Sequence, residues 1–501
     1  MRTIIPGPPG TGKTHTLIHK HLKYELINLK TDPKRIAYIS FSRAAAREAQ
    51  QRIFEAFPSY KFDWICTMHY MGKKQLNIDT NTQLLEGKNW NAFKNYSKVC
   101  DDMSFENYQH ESGYREYKNP YMKIIEYARA KQIDVMESAY ELELDTTIND
   151  GLLLQIEQDL NDYKRDYNMY EFSDMLSKFI EKKVSPSLDA IFLDEAQDLN
   201  PLQWKMFNYI EELSKRSYIA GDDDQAIYAF QGASPSNFIN LKGAIDAQKN
   251  SVRVPRAIHQ VALSILDHIE ERLEKQWKPR DAEGEVIDHL ELQDIDFSTG
   301  NWMILTRTND QMIPIAEYLH QIGYRFDCKF NDLLPTELLE AINIWNRLNK
   351  GASISGEDVE ILYNHLTKDQ VKHGFLNKSY EQIDSVDIDD LRMSHGLNAS
   401  GDWTILKMND VQKEYIQQLV AGGEDLSKPA RIKVSTIHSV KGEECDNVIL
   451  FTDLEKIIYD AAQINKDTEH RLFFVGVTRA KNKLYIMNQD SEYQYNIGEE
   501  I

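Results

Sequence analysis

The chain has 501 residues, 42% hydrophobic and 27% charged, with a formal net charge of −21. That length allows several domains with real cores, and no stretch approaches the roughly 18 consecutive apolar residues of a membrane-spanning helix. The acidic balance argues against a surface that coats nucleic acid generally and leaves room only for a local basic groove, while four scattered cysteines, Cys66, Cys100, Cys328 and Cys445, with no C-x-x-C spacing, fit a reducing compartment and give no zinc or iron–sulfur framework.

Met1 to Ile5 reads as a short apolar strand, and Thr16, Leu17, Ile18, Leu22 and Ile27 follow at helical spacing. Between them Gly7-Pro8-Pro9-Gly10-Thr11-Gly12-Lys13-Thr14 matches G-x-x-x-x-G-K-[ST] in the strand–loop–helix context that the pattern requires. The glycines let backbone N–H groups turn inward around a triphosphate, and the helix aims its positive end at the same charge. Lys13 is expected on the outer phosphates and Thr14 on a magnesium ion. The apolar run stops at Ile5, so no signal peptide is expected, and the expected location is the cytoplasm of a bacterial or virus-infected cell.

Residues 1–72 alternate strand and helix, whereas 73–168 are polar, aromatic-dotted and helical, as in Pro120 to Glu143 and Leu152 to Tyr167. Alternation returns over 169–248. Ala190 to Leu193 is an apolar strand running into Asp194-Glu195, a pair suited to a magnesium shell and to polarising an attacking water. Ser217 to Ala220 is another strand, followed by Asp222-Asp223-Asp224-Gln225. Three acids in a row read as a solvated turn, unless Gln225 sits beside a nucleotide and senses its terminal phosphate. Tyr228 and Phe230 alternate as a strand would. A second alternating region covers 249–330 and 430–501, with strands at Trp302 to Leu305, Ile432 to Ser435 and Asn447 to Phe451. Residues 331–429 form a second insertion whose tail, Gly422 to Pro429, reads as a linker.

Asp194-Glu195-Ala196-Gln197-Asp198 followed by Gly221-Asp222-Asp223-Asp224-Gln225-Ala226-Ile227-Tyr228-Ala229-Phe230 resembles the signature of the UvrD/Rep-like superfamily 1 DNA helicases. Other segments resemble the family's remaining motifs in the expected order: Ile39 to Glu48, Cys66 to Tyr70, Tyr170 to Leu176, Asn250 to Arg253, Leu305 to Asn309, Val434 to Glu444 and Phe474 to Lys481. The resemblance implies an α/β fold of two RecA-like phosphate-loop domains with parallel sheets, each interrupted by an inserted, mainly helical subdomain. It implies ATP in the cleft between the two, with Mg2+.

Carried over residue by residue, the resemblance assigns Lys13, Glu195 and Gln225 to catalysis, with Arg253 and Arg479 as arginine fingers from the second domain. Gly7, Pro8, Pro9, Gly10, Thr11, Gly12, Lys13, Thr14, His15 and Glu444 are the nucleotide contacts, Glu444 on the ribose; Thr14 and Asp194 hold the metal. DNA contacts are Phe41, Thr67, His69, Tyr228, Phe230, Arg307, Thr436 and His438. The implied activity is ATP-driven 3′–5′ translocation on single-stranded DNA with duplex unwinding. The alternative is a single-strand translocase that displaces bound proteins and barely unwinds, a reading favoured by the short second insertion. The partners are single-stranded DNA and single/double-strand junctions, met by a monomer or a weakly self-associating protein. Gln231 departs from the arginine common in the family, which removes one phosphate contact. His15 and Val252 stand where the family has a base-stacking arginine and tyrosine, and only six residues precede Gly7, too few for the family's adenine-reading glutamine. Weak discrimination among purine triphosphates is the expectation.

Overall fold

A computed structural model describes residues 1–87, 89–100, 103–109, 115–288, 291–376, 378–380, 382–488 and 491–499. The chain divides into two compact units, Met1–Glu285 with Glu455–Asn482 and Tyr495–Ile501, and Val286–Leu454 with Lys483–Gln494.

The first unit is built on strands β1 (Arg2–Pro6), β2 (Ile36–Ile39), β3 (Trp64–Cys66), β6 (Ala190–Leu193), β7 (Arg216–Gly221) and β8 (Ala244–Ile245), while β4 (Asn107–Gln109) and β5 (Arg115–Tyr117) form an antiparallel pair elsewhere in the unit. The sheet order is β3-β2-β6-β7-β1-β8, and every pair is parallel. Alternate residues of the inner strands β1, β2, β6 and β7 enter two separate cores, as the two-residue period of a strand requires. Ile4, Ile39, Ile191 and Ile219 pack on one face; Ile5, Tyr38, Phe192 and Tyr218 pack on the other. Each buried aliphatic side chain contributes about 1.5–3 kcal/mol relative to exposure.

Between β3 and β6 runs a helical region with its own core around Trp90, Phe93, Ile125, Ile156 and Leu160. The expected helices are there, split by capping chemistry. Asn119 accepts from the Tyr121 and Met122 amides to open Pro120–Lys131, with Pro120 at a position that needs no amide. Asp134 opens Val135–Glu141 and Asn149 opens Asp150–Asp166 in the same way. The β4–β5 pair inside this region had no clear sequence signal.

The second unit has a sheet of order β11-β12-β10-β13-β14-β9, from β9 (Glu285–Ile287), β10 (Trp302–Thr306), β11 (Phe326–Asp327), β12 (Ile432–Thr436), β13 (Cys445–Phe451) and β14 (Ala480–Met487). The pairs β10–β12, β10–β13 and β11–β12 are parallel. Between β11 and β12 a second helical region closes over Trp345, Leu362, Leu391 and Ile416. The α/β class with two parallel sheets and helical insertions is therefore the observed one. Among the described residues no helix is long and apolar enough to cross a membrane.

Candidate active site

In the first unit the chemistry collects at one edge of the sheet. Gly7 follows β1, Phe41 follows β2, Thr67 follows β3, Asp194 follows β6 and Asp222 follows β7. These are the carboxyl ends of parallel strands, where open α/β sheets bind ligands.

The loop after β1 needs its glycines for shape. Gly10 and Gly12 have φ of 73° and 79°, which side chains with a Cβ rarely adopt. A Cβ on Gly10 would also lie 2.5 Å from the Arg253 Cβ. Thr11 Oγ1 donates to the Pro8 carbonyl at 2.7 Å, and Lys13 Nζ folds back onto the Gly7 carbonyl at 2.8 Å. The helix that follows starts as Lys13–Thr16 and continues as wide π-type turns, Leu17–Leu22 and Tyr24–Asn28. Such turns are uncommon and frequent at functional sites.

Thr14 Oγ1 donates to Asp194 Oδ2 at 2.7 Å, joining the loop to the carboxylate strand across 180 residues of sequence. Tyr38 OH donates to the same oxygen at 2.9 Å. Burial, and then the neighbouring Glu195 charge, push the Asp194 carboxyl up to about 6. A nearby cation would relieve that penalty. Thr14 and Asp194 present two hard oxygen donors side by side, which suits a small divalent ion such as magnesium, normally held by one or two carboxylates with substrate oxygens. Among the described residues no group of three or more His, Cys, Asp or Glu side chains forms a richer metal cage.

Glu195 carries a backbone signal that residue type does not announce. Its φ of 54° and ψ of 44° are left-handed, a conformation costing roughly 1–2 kcal/mol for a residue with a Cβ. Strain of this kind concentrates at functional sites. Gln197 Nε2 donates to Glu195 Oε2 at 2.6 Å, and Gln197 Oε1 accepts from the Asp222 amide at 2.9 Å. Gln197 and Tyr38 thus support the carboxylate pair, and neither was a sequence candidate. Gln197 lies inside the quoted five-residue run, so its presence there was the available signal.

The three acids after β7 are not a solvated turn. Asp222, Asp223 and Asp224 are 0, 0 and 1% exposed. Lys275 contacts all three, at 2.8 Å to Asp222 and 2.9 Å to Asp224, and Arg272 grips both oxygens of Asp224 at 2.8 Å. Two cations compensate the desolvation that would otherwise expel three charges. Burial raises the Asp223 carboxyl. At Asp224 burial is outweighed by Lys275 and Arg272, which hold it low.

Gln225 lies within this network, with Nε2 donating to Asp222 at 2.7 Å and Oε1 accepting from Arg479 Nη2 at 3.0 Å. Arg479 is 1% exposed, and its Nε also donates to the Val475 carbonyl at 2.9 Å. Arg253 is held against the phosphate loop by its own neighbours. Ser251 Oγ donates to the Pro9 carbonyl at 2.9 Å, and the Val252 amide donates to the Gly10 carbonyl at 2.8 Å. Arg253 and Arg479 both belong to the first compact unit. His15 is exposed beside the loop, its ring centroid 4.3 Å from that of His19.

The DNA candidates fall into two sets. Phe41, Tyr228 and Phe230 form an aromatic run, with centroids 5.0 and 6.0 Å apart; Phe41 is buried and the other two are half-buried. Tyr228 and Phe230 lie at a tight turn, Ala229–Gln231, closed by Gly232 at φ 78°, and not on a strand. Thr67 caps the helix Met68–Leu76, accepting from the Tyr70 amide at 3.3 Å. His69 is half-buried, and desolvation, then the Arg43 charge, lower its imidazole to about 4, so it is neutral at pH 7. In the second unit Arg307 and Thr436 sit at the ends of the paired strands β10 and β12, with His438 in the turn after β12 and Thr436 Oγ1 2.9 Å from Ser439 Oγ. Glu444 is exposed, just before β13.

Residues 2–246 match the UvrD/REP helicase N-terminal domain, and residues 405–491 match the UvrD-like helicase C-terminal domain. Similar proteins include the ATP-dependent DNA helicase PcrA of Leuconostoc citreum, 24% identical over 58% of this chain and 40% of the relative. The ATP-dependent DNA helicase Rep of Buchnera aphidicola subsp. Acyrthosiphon pisum is 24% identical over 55% of this chain and 45% of the relative. A probable DNA helicase of Mycoplasma pneumoniae is 25% identical over 98% of this chain and 81% of the relative. The matches to PcrA and Rep thus span less than half the length of those relatives. Two family matches at the two ends, two parallel sheets and a phosphate loop bonded to an Asp-Glu strand agree with one another: the chain belongs to the UvrD/Rep-like superfamily 1 helicases and has their two RecA-like domains.

Proposed function

We propose that the protein is an ATP-dependent DNA helicase that hydrolyses ATP to move 3′ to 5′ along single-stranded DNA and to open duplex DNA. The observation that carries this reading is the 2.7 Å bond from Thr14 to Asp194, which unites the anion-binding loop with the carboxylate pair. Lys13 leaves the Gly7 carbonyl to meet the outer phosphates. Thr14 and Asp194 would hold magnesium, which would neutralise phosphate charge. Glu195 takes the proton of the attacking water, fixed by Gln197. Arg253 and Arg479 meet the charge that develops in phosphoryl transfer, and Gln225 links Arg479 to the phosphate end. The remaining roles rest on family membership alone: Glu444 on the ribose, Thr67, His69, Arg307, Thr436 and His438 on the DNA backbone, and Phe41, Tyr228 and Phe230 on the bases. Stacking tolerates any base and contributes about 1–3 kcal/mol per base, which suits a motor indifferent to sequence.

The nucleotide base is read weakly in this proposal. The residues offered to it are His15 and Val252, the latter 80% exposed beside the loop. Neither supplies a donor–acceptor pair that separates adenine from guanine, and a missing reader forfeits about 1–3 kcal/mol of selectivity. Steady-state turnover of ATP and GTP, with and without single-stranded DNA, tests both points. Single-stranded DNA is expected to stimulate hydrolysis, with catalytic efficiencies for the two nucleotides within about tenfold. Turnover indifferent to DNA would remove the motor reading. A preference for ATP above about a hundredfold would remove the selectivity reading alone.

A further inference from the structure

The segment that buries the three aspartates has no assigned part in turnover. Lys275 lies in an irregular stretch after the helix Arg256–Leu266, and its side chain is 6% exposed. Lysine is seldom buried this deeply, because its ammonium loses strong hydration. Against that cost, the three carboxylates hold it above the ordinary lysine value. Around it the Leu273 amide donates to Asp223 at 2.7 Å and Arg471 Nε donates to the Asp223 carbonyl at 3.1 Å. The stretch is thus fastened to the strand-end loop by charge and backbone together.

Asp222 is the node of this network. Its amide is bonded to Gln197, which holds Glu195, and its carboxylate takes the Gln225 amide group. An ionised carboxylate only accepts and a guanidinium only donates. Gln225, set between Asp222 and Arg479, can therefore satisfy both in one orientation only, with its NH2 toward Asp222 and its oxygen toward Arg479. Lys275 Nζ bonds one oxygen of this fully buried carboxylate at 2.8 Å while Gln225 Nε2 bonds the other at 2.7 Å, so Lys275 holds in place the carboxylate that receives Gln225.

We propose that Lys275 is a positioning residue for nucleotide hydrolysis, acting through Asp222 to fix the Gln225 amide and, through it, the Arg479 guanidinium. This rests on the enzyme reading above and adds to it a residue outside the quoted motifs. Its effect falls on the hydrolytic step, because Lys275 is bonded to the aspartates and not to the phosphate loop.

The test places Lys275→Met in the otherwise unaltered protein and in a Gln225→Ala background, measuring kcat with saturating single-stranded DNA and Kd for a fluorescent ATP analogue. In the first background kcat is expected to fall about tenfold or more, with Kd changed by less than about threefold. In the Gln225→Ala background the further loss is expected to be under about twofold, since the residue acts through Gln225. Equal losses in both backgrounds, or a loss under about threefold in the first, overturn the proposal. Should Lys275→Met fail to fold, Asp222→Ala, which removes the Gln225 acceptor and leaves Lys275 paired with Asp223 and Asp224, is judged by the same outcomes. An unaltered protein that turns over no nucleotide strikes the enzyme reading itself, which an active protein indifferent to Lys275→Met does not.

Discussion

Glu195→Gln is expected to abolish most nucleotide turnover while leaving nucleotide and DNA binding in place. The substitution keeps the shape of the side chain and an oxygen that can still accept from Gln197 Nε2. It removes the basic carboxylate and nothing from Asp194, which keeps its bonds from Thr14 and Tyr38. Loss of a positioned general base lowers rates by about 10²–10⁴-fold, so a fall of at least about 10²-fold in DNA-stimulated hydrolysis is expected. Removing a negative charge beside buried Asp194 also relieves one cause of its raised carboxyl. Binding of nucleotide is therefore expected to be unchanged or tighter. Steady-state hydrolysis with a parallel binding titration checks both parts. A loss of only a few-fold would mean that another group activates the water.

Arg479→Ala is expected to cost still more in rate and little in affinity. The guanidinium is fixed by the Val475 carbonyl and by Gln225, and so needs little reorganisation when charge moves in the transition state. An arginine aimed at transferring phosphoryl oxygens is worth about 10³–10⁵-fold in related chemistry. A fall of about 10³-fold in the maximal DNA-stimulated rate is expected, with nucleotide Kd changed far less. Arg479→Lys keeps the charge but not the planar fork, and is expected to fall between. A variant with weakened binding and a normal maximal rate would make Arg479 a ground-state contact only.

What the sequence showed and what it hid divide along a physical line. The phosphate loop and the Asp194-Glu195 strand end were legible because their chemistry is local: adjacent glycines set a turn, and an apolar run sets a strand. The strands at Ser217 to Ala220, Trp302 to Leu305, Ile432 to Ser435 and Asn447 to Phe451 were legible for the same reason, as were the helices of the first insertion, whereas the helical character of the second insertion came only from the resemblance. The environment of Asp222 to Asp224 was not legible. Whether three carboxylates face water or a buried lysine depends on Lys275 and Arg272, some fifty positions downstream, and no spacing rule carries a contact of that range. Tyr38 on Asp194 is a contact of the same kind, between neighbouring parallel strands. Glu195 is hidden differently: a left-handed residue is normally announced by glycine or asparagine, and here the surrounding bonds impose the conformation on a glutamate. Tyr228 and Phe230 mimicked a strand because alternation over three residues cannot be told from a tight turn.

A strand-displacement assay on duplexes with a 3′ or a 5′ single-stranded tail bears most directly on the central proposal. With ATP and Mg2+, displacement is expected from the 3′-tailed duplex, is not expected from the 5′-tailed one, and should vanish with Glu195→Gln. DNA-stimulated hydrolysis without displacement of either duplex would contradict unwinding and select the translocase that clears proteins from single strands, while displacement from the 5′-tailed duplex alone would reverse the proposed direction of travel.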